Sequence, residues 1–97
     1  MSLNKLASKY ISSAERVFGR IEVTETPVTL DLARVCSVVD FAKAYLRDAR
    51  YYREKEKLEV SLTSIAYCEG LLDALRLLGA VRFEWPKRKE GVKRSGK

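Results

Sequence analysis

The sequence predicts an all-α protein: a three-helix up-down-up bundle with a long helix 2–helix 3 hairpin and a mobile basic C-terminal tail. Three observations carry that prediction. Apolar residues recur at helical spacing in three separate stretches. Pro27, the only proline before Pro86, falls between the first stretch and the second. Gly79 follows the third, where a helix C-terminus calls for glycine.

The first stretch spans about residues 3–21. Leu3, Ala7, Tyr10, Ala14, Val17 and Ile21 alternate steps of four and three, with Leu6, Ile11 and Phe18 beside them. Lys5, Lys9, Ser12, Arg16 and Arg20 form the opposite, solvated face. The second helix is expected over about 29–55, with Thr29 as N-cap and Asp31 in the first turn. Val35, Val38, Val39, Ala42, Tyr45, Leu46, Ala49 and Tyr52 share one side of it. The third is expected over about 58–78. Its apolar arc is very wide, leaving only Glu69, Asp73 and Arg76 as a polar stripe, so it reads as central or covered by a partner chain. Ala66, Gly70 and Ala74 are spaced four apart, which suits tight packing against another backbone. The charged turn between helices 2 and 3 is expected to centre near Glu56 and to make an antiparallel hairpin. Residues 80–86 read as an extended strap, with Phe83 and Trp85 tucked against the helices. Residues 1–86 thus make one domain, and 87–97 a disordered tail.

Composition narrows the chemistry. The chain has 97 residues, 46 % hydrophobic and 33 % charged, which is the balance of a globular domain. It has no histidine, which removes Ser-His-Asp and Cys-His catalysis and His-containing zinc sites. Cys36 and Cys68 are too few for a Cys-only zinc site or a disulfide framework. The hairpin register sets the two about 12 Å apart along the axis, so both are expected free. No apolar run is long enough to span a membrane, and the N-terminus lacks the apolar core of a signal peptide. No Gly-rich phosphate loop or cofactor fingerprint is present, so no cofactor and no metal are expected.

The net charge of +6 is unevenly placed. Lys87, Arg88, Lys89, Lys93, Arg94 and Lys97, against the single Glu90, give the last eleven residues a net of +5. That run has two readings: a sequence-tolerant contact with nucleic acid or another polyanion, or a solubilising end.

Two clusters on the hairpin are candidate sites. Tyr45, Tyr51, Tyr52 and Tyr67 gather at the closed end near Arg47, Arg50 and Arg53, a mixture that can stack a nucleotide or simply form a core with hydroxyls at the surface. Glu69 and Asp73 share a helix face, where paired carboxylates can hold a hard cation or act as acid and base. The plainer reading is a solvated stripe with Asp73 paired to Arg76. Asp48 lies about 13 Å out of register with Asp73, too far for a catalytic pair within one chain. The candidate ligand or partner surface is Asp48, Tyr51, Tyr52, Tyr67, Glu69, Asp73 and Arg76, with no catalytic residue assigned.

Tyr45-Leu46-Arg47-Asp48-Ala49-Arg50-Tyr51-Tyr52 and, after the charged turn, Ser64-Ile65-Ala66-Tyr67-Cys68-Glu69-Gly70-Leu71-Leu72-Asp73-Ala74-Leu75 resemble an archaeal helical family catalogued as domain of unknown function 357. Its pattern is an Asp-Ala plus aromatic on one helix, then Tyr-Ala-x-Gly-x-Leu-Asp-Ala on the next. Cys68 stands where alanine is usual, and the turn lacks the Gly-Asp often found there. The resemblance covers about residues 40–79 well and implies an all-helical bundle in an archaeal cytoplasm, with no established activity. A weaker likeness is to HEPN-type helical domains. The Arg-x4–6-His motif of their ribonucleases has no counterpart in a chain without histidine.

The expected function is a non-catalytic helical protein-interaction module, working as a homodimer or with another protein. The alternatives are an accessory nucleic-acid or ribonucleoprotein binder acting through the tail, and a small-molecule binder or enzyme at the hairpin motif.

Overall fold

Small side chains decide where two of the helices meet. The computed structural model describes residues 2–86. They form α1 (Leu3–Phe18), α2 (Leu32–Glu54) and α3 (Leu58–Leu77). Ala42 and Ala49, seven residues apart on α2, are the buried points of that helix, and Ser64, Cys68 and Leu75 are those of α3. Seven-residue spacing keeps one seam facing a partner helix, and alanine lets the partner's backbone close in. The result is the expected antiparallel hairpin. Its core is thin: Ala42, Ala49, Cys68 and Leu75 are its buried apolar residues, and no large side chain is fully enclosed.

The turn forms where the charged run predicts it. Glu56 adopts φ 60°, the only positive φ at a non-glycine among the described residues. Its N–H donates to the Arg53 carbonyl at 3.0 Å, and the Lys57 N–H donates to the Tyr52 carbonyl at 2.8 Å. The same pair of hydrogen bonds ends α3, where the Gly79 N–H reaches the Arg76 carbonyl at 3.0 Å and the Ala80 N–H the Leu75 carbonyl at 2.9 Å. Both ends are Schellman motifs. At α3 the left-handed position holds a glycine with φ 79°; at α2 it holds a glutamate.

Helix boundaries shift by a few residues. α1 stops at Phe18, not residue 21, because Gly19 takes the C-cap and the Arg20 N–H turns back to the Val17 carbonyl. α2 starts three residues later than expected. Asp31, not Thr29, is its N-cap, accepting from the Arg34 N–H at 2.8 Å while its other oxygen lies 3.5 Å from the Arg34 Nε. A carboxylate that caps and pairs at once outcompetes a threonine two residues earlier. α3 ends at Leu77, one residue early.

α1 departs from the expected bundle. It has the apolar stripe, and Ser2 caps it by accepting from the Lys5 N–H at 3.1 Å. Yet α1 packs against neither α2 nor α3, and none of its residues is buried. α3 is not enclosed by the chain's own helices: Leu58, Leu62, Tyr67 and Leu77, with the C-cap Leu78, are exposed. The Ala66–Gly70–Ala74 stripe is open, and a Cβ placed on Gly70 would meet nothing within 4 Å. No helix among the described residues is long and apolar enough to cross a membrane.

Candidate functional site

The hairpin register brings the predicted residues together in two groups. At the closed end the Ser61 hydroxyl donates to the Ala49 carbonyl at 2.7 Å, and the Tyr45 and Tyr67 rings stack across the helices with centroids 4.4 Å apart. Tyr51 and Tyr52 form a separate edge-to-face pair at 5.0 Å, with the Lys55 ammonium 5.4 Å over the Tyr51 ring. The four tyrosines are thus two pairs, each engaged with its own neighbours. Asp48 is exposed on α2.

Toward the open end, α3 and the strap build the second group. The Trp85 indole N–H donates to Asp73 Oδ1 at 2.7 Å, a charge-assisted hydrogen bond. Arg76 Nη2 lies 3.5 Å from the same oxygen, and its guanidinium sits 5.6 Å over the Phe83 ring. Phe83 and Trp85 meet edge to face at 4.9 Å. The strap is therefore tucked in, as its aromatic residues predict. Asp73 works as its anchor, which fits the plainer reading of the carboxylate stripe.

Glu69 is half-buried one position after Cys68. Burial first, and the Glu69 carboxylate second, push the Cys68 thiol above its ordinary range. A raised thiol pKa keeps the sulfur protonated and unreactive at neutral pH, as suits a core residue. Cys36 is exposed, and both cysteines are free. Among the described residues no three Asp, Glu or Cys side chains gather as a metal-holding group. The six tail cations, Lys87, Arg88, Lys89, Lys93, Arg94 and Lys97, lie outside the described residues.

The residue pattern did not single out a cavity of about 230 Å³ between the helices, lined by Leu46, Ala49, Arg50, Arg53, Ser61 and Ile65. Its arginines were visible in the sequence as neighbours of the tyrosines. The signal that would have found it is the register: with Ser61 opposite Ala49, the alanine leaves space that the long side chains on either side surround without filling.

The model of a family described as protein of unknown function (DUF357) matches residues 6–81, a span that includes most of α1 as well as the hairpin. No curated protein and no solved structure is detectably similar to the chain.

Proposed function

Because this chain belongs to the DUF357 family, whose description assigns no activity, we propose from its surfaces that it is a non-catalytic helical protein-interaction module. One observation carries this reading: α1 is a two-faced helix whose apolar side covers nothing. Ile11, Val17 and Phe18 on that helix are all exposed, Phe18 to 75 %. Burying each such side chain is worth roughly 1.5–3 kcal/mol. The hairpin offers a second uncovered set in Leu62 and Leu77. A second copy of the chain is the simplest partner, since it brings the matching surfaces.

The test is light scattering of the full chain at high micromolar concentration. A dimer is expected, and Val17→Lys on the α1 stripe weakens it by about tenfold or more. A chain that stays at its monomer mass of 11.1 kDa overturns self-association.

A second reading rests on the charge of residues 87–97, six cations against one anion. Nucleic-acid binding through this run has a log–log salt slope of up to roughly −5. Titration of RNA and DNA against the full chain and a chain ending at Pro86, across a salt series, separates the cases. No binding at low salt removes this reading.

A further inference from the structure

The cavity near the closed end has divided chemistry. Leu46, Ala49 and Ile65 line it with aliphatic surface, and Arg50 and Arg53 line it with cationic side chains. The Ser61 hydroxyl is already given to the Ala49 carbonyl. Neither guanidinium has a hydrogen bond or ion pair with a described residue. No acidic side chain lines the cavity. Such a site suits a carboxylate carried on an aliphatic body. Size then decides what kind. At about 230 Å³ it is smaller than the roughly 300–1,000 Å³ of pockets that enclose a whole ligand. It takes one or two side chains of a segment lying across it.

This molecule contains a segment with that chemistry. Residues 21–31 hold Glu22, Glu25 and Asp31 with no lysine or arginine, and they have no regular secondary structure. Asp31 is committed to the α2 cap, while Glu22 and Glu25 are exposed and Val23 is 86 % exposed. Alternate residues of an extended chain share a side, so a 21–25 segment laid out straight would point Val23 and Glu25 the same way, about 6.6 Å apart. On α2, Leu46 and Arg50 are one turn apart, about 6 Å along the axis. The aliphatic-then-acidic spacing of the connector matches the aliphatic-then-basic spacing of the groove. The chain's own connector does not fill the site: Glu25 is exposed and makes no ion pair with Arg50 or Arg53.

We propose that this cavity receives the 21–25 segment of a second copy, with Glu25 between Arg50 and Arg53 and Val23 on Leu46 and Ile65. In a two-fold dimer the contact occurs twice. This inference rests on the self-association proposed above and names its surface.

A charge-swap series tests it. Sedimentation equilibrium measures the dimer dissociation constant of the full chain, of Arg50→Glu with Arg53→Glu, of Glu25→Arg, and of all three changes together. Circular dichroism confirms that each variant is helical. The two partial variants weaken the dimer by about tenfold or more, and the combination restores most of the loss. A dimer indifferent to both partial variants overturns the cavity contact while leaving self-association intact. Weakening without restoration also overturns the pairing. A native chain that never dimerises overturns both proposals.

Discussion

α1 and the α2–α3 hairpin reverse the usual link between pattern and burial. α1 has the cleaner apolar stripe, yet every residue on it is open to solvent or nearly so. The hairpin helices have blurred stripes, yet they hold all of the buried core. Amphipathicity shows that a helix can be covered on one side. It does not say by what. What brings α2 and α3 together is geometry close to the chain: a three-residue link, two closing hydrogen bonds, and alanines where the backbones meet. α1 hangs from a connector of 13 residues and has no such device.

The sharpest way to break this contrast is to truncate a large side chain in each region. Leu75, 6 % exposed on α3, should cost about 2–5 kcal/mol as Leu75→Ala. The same change at the exposed Ile11 should stay within about 0.5 kcal/mol in the monomer. Urea denaturation measures both. Equal losses would mean that α1 is packed in solution and that the contrast is false. A middle-sized effect is expected at the strap, which extends the hairpin's core toward the open end. Trp85→Phe keeps the ring stacking surface and removes the N–H donor to Asp73, for a loss of about 1–2 kcal/mol. An unchanged midpoint would show that the hydrogen bond adds nothing to the aromatic contact. The smallest effect is a gain. Glu56→Gly relieves a left-handed residue at the hairpin turn and should stabilise by about 0.5–1 kcal/mol. Destabilisation would mean that the glutamate side chain earns its place.

The pattern of legibility follows the same division. The hairpin was readable because its determinants are local. The charged run at 53–59 reads as the hairpin turn, and Glu56 takes the positive φ there; Tyr45 and Tyr67, read as neighbours at the closed end, meet across the helices. Trp85 and Phe83 were readable as a tucked strap because they alternate along an extended segment. The position of α1 was not readable, since periodicity carries no information about the partner. The Ala66–Gly70–Ala74 stripe is open in the single chain for the same reason: small residues permit a close approach without requiring one. Arg50 and Arg53 are legible as neighbours of the tyrosine cluster, but the cavity beside them is not, because that space exists only once Ser61 has docked on Ala49.

The turn at Glu56 also governs the order in which the molecule assembles. Ser61 meets Ala49 across only twelve residues of chain, so the hairpin can zip outward from its tip with little loop to close. Proteins with contacts this local fold in microseconds to milliseconds. During synthesis, α1 is finished roughly 60 residues before α3, a lag of about 3–12 s at ordinary elongation rates. For that interval the most amphipathic helix of the chain has no hairpin beside it. Lys5, Lys9 and Arg16 are then what keeps the nascent chain in solution.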